Sequence, residues 1–378
     1  MIKSIELEGW KSFSKATLHI DPLTVLIGAN ASGKSNVLDA LFFLQRIGNG
    51  IELTEALKGV RGGLEWATMK GMDRFKLSVL MDGTDDNIDF LHSVAIKIQE
   101  NTCKNWKFSL LSREYSSLKR DTDPVETNIF MVGAPIEYVD NAISIIERFL
   151  KNIFILNPVL SSIRNNFFSP LAETLLPDAS NIAGVIAALP ENKKTELDDA
   201  IEKYMRHLPE RDIQRIWSEP VGRFKTEAIL YCEERWQGGD STIEMDARGM
   251  SDGTLRFLAI LTALLTRPSG SLLVIEEVDN GLHPSRTGLL LRMLREIGQT
   301  RGVDVLVTTH NPALLDALEP EMIPFVTVAH RDPQTGHSCL TLLEDINRLP
   351  KLLAMGSVGR LSASGQLEQA LSQRGEHG

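Results

Sequence analysis

Apolar positions near the amino terminus alternate with polar ones and then run together. Ile5 and Leu7, followed by Leu18 and Ile20, flank the loop Gly9-Trp10-Lys11-Ser12-Phe13, which predicts two short strands. Leu23-Thr24-Val25-Leu26-Ile27 follows Pro22 as an apolar strand and enters a glycine-bounded loop. From Lys34 the spacing changes to three and four, through Leu38, Leu41, Phe42 and Leu44, and predicts a helix. Period two returns between Arg74 and about Tyr115, in Phe75, Leu77, Val79 and Met81, then Val94, Ile96 and Ile98, then Phe108 and Leu110. These predict antiparallel strands, with Asp82-Gly83 and Asn101 to Asn105 in the turns. Ile136 to Leu150 predicts an amphipathic helix. From Asn157 to Pro220 the chain has more Pro, Asn and short helical runs, including Lys193 to His207, and reads as a separate helical lobe.

After Gly249, strand and helix alternate. The pattern predicts a helix over Ser251–Thr266, a buried strand over Leu272–Ile275, a helix over Ser285–Gln299, a second buried strand over Val303–Val307, and a helix from Pro312. The expected fold class is therefore α/β, with a parallel core begun at the amino terminus and resumed after a long insertion. The expected division is a split core over 1–160 and 236–330 with an antiparallel β subdomain, an inserted helical lobe over 161–235, and a carboxy-terminal tail over 331–378.

Composition narrows the partners. The 378 residues carry a formal charge of −10, which argues against a surface that is basic all over but leaves room for a local basic groove. Phe257 to Leu265, the longest apolar stretch, is too short to span a bilayer, so no membrane partner is expected. The first residues lack the pattern of a signal peptide. Cys103, Cys232 and Cys339 are scattered, and a reduced, cytoplasmic location fits them best.

The candidate chemistry begins after the first apolar strand. Gly28-Ala29-Asn30-Ala31-Ser32-Gly33-Lys34-Ser35 matches G-x-x-x-x-G-K-[ST] between a strand and a helix start, with Asn36 next in the helix. Glycines let the backbone curl so that N–H groups face phosphate oxygens, and the helix N-terminus adds a favourable dipole. Lys34 can reach β- and γ-phosphates, and the Ser35 hydroxyl can ligate Mg²⁺, so ATP and Mg²⁺ are the expected ligands. Leu272-Leu273-Val274-Ile275-Glu276-Glu277 is an apolar strand ending in two carboxylates. Buried acids are costly without a cation or partners, so Glu276 is expected to hold Mg²⁺ and Glu277 to polarise the attacking water. Gly249-Met250-Ser251-Asp252-Gly253-Thr254 opens a long helix with Ser251 as a natural N-cap.

Taken in order, these segments resemble the ABC ATPases of the RecF/SMC branch, and specifically the OLD-like ATPases without transmembrane parts. The resemblance covers about Met1 to Leu318 and implies a P-loop ATPase head. It makes Ser251 and Gly253 part of a signature motif departing from Leu-Ser-Gly-Gly-Gln at Met250, Asp252 and Thr254. It makes His310, in Thr308-Thr309-His310-Asn311-Pro312, a switch histidine, and puts a D-loop at Asp279 to Pro284. Gly9 to Phe13 is similar to the group's aromatic–basic loop, and Leu176 to Ala183 to a further stretch. Glu276 replaces the usual Asp, and for a Q-loop only Gln99 offers itself.

The resemblance also implies a head-to-tail homodimer around ATP. OLD nucleases add a Toprim domain; the fifty or so residues after the switch region hold no comparable acid cluster. An ATPase subunit of an anti-phage system that regulates a separate effector, such as a nuclease, is the first expectation. A RecF-like clamp on DNA is the alternative, and a non-hydrolysing scaffold a third, disfavoured by Glu277. Basic residues at Lys104, Lys107, Arg113, Lys119 and Arg120, and at Arg206, Arg211, Arg215, Arg223 and Lys225, read first as solvated faces, with DNA contact open if they converge. His330, His337 and Cys339 have poor spacing for a metal. Asp82 to Asp89 lacks the glycine of a calcium loop.

Overall fold

The structure is a computed structural model and describes residues 1–82, 88–100, 106–119, 136–165, 168–205, 212–235, 242–346 and 349–372. The amino-terminal strands β1 (Ile2–Trp10) and β2 (Phe13–His19) pair antiparallel, turning through Lys11 at φ 50°. β3 (Leu23–Ile27) leads into α1 (Lys34–Gly48) and the short α2 (Leu53–Lys58). β4 (Arg74–Asp82), β5 (Ile88–Glu100) and β6 (Trp106–Lys119) complete a five-stranded antiparallel sheet in the order β2-β1-β4-β5-β6. Trp10, Phe43 and Phe75 pack under it edge to face, with ring centroids 4.9 Å apart for Trp10 and Phe75 and 6.0 Å apart for Phe43 and Phe75.

The insertion is built differently from its expected form. α3 (Ile136–Lys151) and β7 (Ile153–Leu156) lead to α4 (Leu160–Asn165), β8 (Ser169–Pro170), α5 (Ile182–Ala188) and α6 (Glu191–Tyr204). Then come β9 (Asp212–Val221), β10 (Glu227–Arg235) and β11 (Thr242–Asp246). β10 pairs antiparallel with β9 along one edge and with β8 and β11 along the other. The stretch 161–235 is thus three helices against a sheet, not a helical lobe. Ala228, Leu230, Cys232 and Glu234 form the buried side of β10; an acid in that row, and Pro220 in β9, hide the period of two. Nor does this stretch have a core of its own. Ile182, Val185, Ile213 and Leu230 share one cluster with Leu255 and Phe257 of the helix that follows.

That helix is α7 (Asp252–Thr266), in which every residue from Gly253 to Leu265 is buried, as expected of a helix apolar on all sides. β12 (Leu272–Ile275), α8 (Thr287–Arg301), β13 (Asp304–Thr308) and α9 (Pro312–Asp316) continue the alternation. β14 (Val326–Arg331) and β15 (Ser338–Leu342) follow, then α10 (Leu349–Met355), α11 (Val358–Ala363) and α12 (Gln366–Ser372). The central sheet runs β15-β14-β3-β13-β12-β7, parallel except for β15. Its inner strands β3, β13 and β12 are mostly apolar and buried at every position because both faces are covered. Leu273 and Ile275 face the cluster of α7 and α8, while Leu272 and Val274 face α1 and the antiparallel sheet.

The tail is likewise part of this core. β14 lies beside β3 and β15 closes the sheet edge. Farther on, α11 docks on α9, where the Gly359 N–H donates to Asp316 Oδ1 at 2.7 Å.

Candidate nucleotide site

At the carboxyl end of β3 the chain turns into α1 through residues that only small side chains permit. Gly28 has φ 146°, Ala31 63° and Gly33 118°. A Cβ on Gly28 would meet the Ala329 carbonyl oxygen at 2.1 Å, and one on Gly33 would meet Ser338 Oγ at 2.6 Å. The tail strands β14 and β15 therefore form the wall of the loop. Arg331 Nε adds a bond to the Ala31 carbonyl at 2.9 Å, and Ser12 Oγ accepts from Asn36 Nδ2 at 2.7 Å. Ala29, Asn30 and Ala31 are exposed, while Ser32 is buried, its Oγ lacking a hydrogen-bond partner among the described residues. The Lys34 ammonium folds back on the loop, donating to the carbonyls of Gly28 at 2.6 Å and Ala29 at 3.0 Å. Burial holds its pKa below the usual lysine range, against the pull of the Glu277 and Glu276 charges.

β12 delivers the two acids to the same edge. Glu276 Oε1 accepts from Ser35 Oγ at 3.2 Å, joining residues 241 positions apart in the chain. A hydroxyl and a carboxylate meeting this way form a hard-oxygen pair that fits Mg²⁺. Glu277 stands in the left-handed region at φ 48°, uncommon for a residue with a side chain, and its N–H donates to Thr308 Oγ1 at 2.9 Å. That turn brings Glu277 Oε1 to 3.6 Å from His310 Nδ1.

Sequence reasoning missed a charge network behind the pair, buried at Lys11 and Asp39 and exposed at Arg61. Lys11 Nζ contacts Asp39 Oδ2 at 2.6 Å, Arg61 Nε contacts Asp39 Oδ1 at 2.9 Å, and Arg61 Nη1 reaches Glu276 Oε1 at 3.1 Å. Arg61 Nη2 also donates to the Ser35 carbonyl at 3.3 Å. Only Lys11 had a signal, in the aromatic–basic loop; Arg61 sits in a stretch with no period to mark it.

The remaining segments line up around the same edge. Ser251 caps α7, its Oγ accepting from the Thr254 N–H at 3.1 Å. Gly253 lies against the following loop, where an added Cβ would meet Arg286 Nη1 at 2.9 Å and Gly281 O at 3.5 Å. Arg164 of α4 bonds to the Met250 carbonyl and to Asp252, tying the insertion to the start of α7. Asp279 Oδ1 accepts from Thr309 Oγ1 at 2.7 Å, and Asn311 caps α9. A cleft of about 370 Å³ opens between Glu277, the 279–282 loop and His310. Gln99 lies in β5 of the antiparallel sheet, whereas the exposed Asn157 directly follows β7, the strand beside β12, one residue past the Leu156–Ile275 pair. No periodicity singled out Asn157.

Among the described residues, the other candidates do not join this site. His330 Nε2 bonds to Thr341 Oγ1 at 3.1 Å, and no metal-binding group of three His, Cys, Asp or Glu occurs among the described residues. Lys104, Arg120, Arg206 and Arg211 lie outside the described residues, as do the side chains of Lys107, Arg113 and Lys119 and most of the 82–89 turn. Arg215 stacks on Trp217, and Arg223 and Lys225 are exposed at the β9–β10 turn. Among the described residues no helix is long and apolar enough to cross a membrane.

A parallel sheet whose carboxyl edge carries a P-loop, an acid pair and a capped signature-like helix defines an ABC-type ATPase of the RecF/SMC/OLD branch. The chain belongs to the family described as "AAA domain, putative AbiEii toxin, Type IV TA system", which matches residues 23–316. It is 22% identical over 374 residues to an "ATP/GTP phosphatase" of Helicobacter pylori, covering 90% of this chain and 92% of that one. Over 100 residues it is 34% identical to "Chromosome partition protein Smc" of Mycolicibacterium paratuberculosis, 24% of this chain and 8% of that much longer protein. Among solved structures, an Smc head bound to the C-winged helix domain of ScpA superposes with a TM-score of 0.54 at 16% identity, over 90% of this chain and 97% of that one. A Pyrococcus furiosus Smc head with extended coiled coil, bound to the C-terminal domain of ScpA, gives 0.54 at 14% identity, over 93% and 99%. The fold is that of an SMC head, and the chain is an enzyme that hydrolyses ATP.

Proposed function

We propose that the chain hydrolyses Mg–ATP in sites shared between two copies and uses the cycle to control a partner effector. The contact of Ser35 with Glu276 carries the catalytic part, because it joins the P-loop to the acid pair. The N–H groups of residues 28–35 would cradle the phosphates, with Lys34 released from its loop carbonyls to the β- and γ-oxygens. Ser35 and Glu276 would hold Mg²⁺, which neutralises charge on the phosphates. Glu277 accepts a proton from water as that water's oxygen attacks the γ-phosphorus. The bond to the β–γ bridging oxygen breaks, leaving ADP and phosphate. His310, beside Glu277, would face the γ-phosphate. Ser251 and Gly253 at the α7 N-terminus would close on the nucleotide of the other copy.

The biological role rests on the family description, which names a toxin and a toxin–antitoxin system and supports control of an effector such as a nuclease in anti-phage defence. The Smc relative, named for chromosome partition, favours a second reading in which the dimer holds DNA. Recovery of a co-encoded nuclease with the native protein, dependent on ATP, separates the two.

The catalytic assignment is tested by paired variants. Glu277→Gln should bind ATP and hydrolyse it about a hundredfold or more slowly, the range for losing a positioned base. Glu276→Gln should instead weaken the response to Mg²⁺ concentration. If Glu277→Gln turns over normally while Glu276→Gln shows the hundredfold loss, the two roles are reversed.

A further inference from the structure

Arg256 is a guanidinium the mechanism above does not use, and its position is costly. It is 5% exposed, in the second turn of the largely apolar α7. Among the described residues its Nε has no hydrogen-bond partner. Burying a charge costs several kcal/mol in general, so a fold keeps one where something else gains.

Helix geometry says where it faces. Residues three and four apart share a face, so Arg256 lies below Gly253 and Asp252. Those two first-turn residues touch the loop after the acid pair: Gly253 approaches Gly281, Leu282 and Arg286, and a Cβ on Gly281 would stand 3.9 Å from Asp252 Cβ. Arg256 thus looks from α7 toward the underside of that loop. Burial pushes its pKa down, and the charges of Asp279 and then Glu277 oppose the shift, which puts both carboxylates within electrostatic reach. Asp279 is itself buried and pinned by Thr309 Oγ1, which also accepts the Asn311 N–H at 3.0 Å, across His310.

We propose that Arg256 is a positioning residue that couples the Ser251 end of α7 to Glu277 and Asp279 of the same chain. Its charge holds the acid turn and the loop after it in the arrangement that hydrolysis requires. In the shared-site reading, on which this inference rests, Ser251 engages the partner's nucleotide. Arg256 then makes each chain's own Glu277 responsive to occupancy of the other site. Direct contact with nucleotide is not part of its role, because only 5% of the residue is exposed.

Steady-state kinetics on the full chain test this with Arg256→Met, which keeps the length without the charge, and Arg256→Lys, which keeps the charge. We expect Arg256→Met to melt at or above the wild-type temperature, because a buried charge is gone. Its KM for ATP should stay within about twofold and its kcat fall about tenfold or more, with Arg256→Lys recovering part of the loss. A wild-type kcat in both variants overturns the proposal. So does a loss in Arg256→Met that Arg256→Lys shares in full, or one that appears as a raised KM with a lowered melting temperature. If Arg256→Met does not fold, Arg256→Gln takes its place under the same criteria. Light scattering on Glu277→Gln with ATP reports the shared site separately. A monomer there with the kcat pattern intact removes the link between copies and leaves Arg256 as a positioner within one chain.

Discussion

Asp304 opens β13 at the edge of the sheet opposite the nucleotide, and burial, opposed by the chain's amino group, pushes its pKa up to about 7, with Asp82 and Asp21 adding to the rise. A carboxyl whose folded pKa is raised holds its proton longer in the native state, so stability falls as pH rises between about 4 and about 7. Below that window nothing is lost; above it the full penalty, on the order of 4 kcal/mol, is present. Asp304→Asn should therefore gain little over wild type at pH 4 and most above pH 7. Denaturation midpoints of the two proteins across that range check the slope; parallel curves contradict it. At this scale the sequence was most legible where spacing is tied to chemistry. The placement of Ser35 and Glu276 at one sheet edge could be read, because each lies just past an apolar strand. Arg61, Asp39 and Arg331 could not, since each reaches the site through contacts 22 to 300 residues away along the chain.

The elements that carry the site were visible through their periods, and the missed ones had periods that core chemistry obscured. β12 is a continuous apolar run and α7 a largely apolar one, and both fall close to their expected bounds. β9 and β10 place Pro220 and Glu234 within strands, so alternation failed as a signal and the stretch read as helical. Resemblance stopped near Leu318, and the carboxy-terminal strands were set apart as a tail. They in fact wall the P-loop, and the strength of that packing can be measured at one atom. Gly28→Ala puts a Cβ at 2.1 Å from the Ala329 carbonyl oxygen in a backbone with φ 146°. It should cost on the order of 2–3 kcal/mol by chemical denaturation and abolish ATP binding. Gly50→Ala, with φ 77° but nothing within 4 Å, is the control and should cost about 1 kcal/mol with ATP binding kept. Equal, small losses at both would mean that β14 does not press on the loop.

At the scale of the whole molecule, one chain carries one P-loop and one capped α7, and the proposed function has both helix N-termini facing phosphate. In the shared-site proposal, two copies packed head to tail would make two equivalent sites across a twofold axis, with ATP as part of the interface. Association should then rise with ATP and drop after hydrolysis. Light scattering on Glu277→Gln, which keeps ATP bound, tests this most directly. The expected result is a monomer-sized particle without nucleotide and a dimer or larger with ATP, with the ATP-dependent step lost when Ser251→Arg is added. An oligomer unchanged by ATP, together with normal hydrolysis by Ser251→Arg alone, would contradict the shared site.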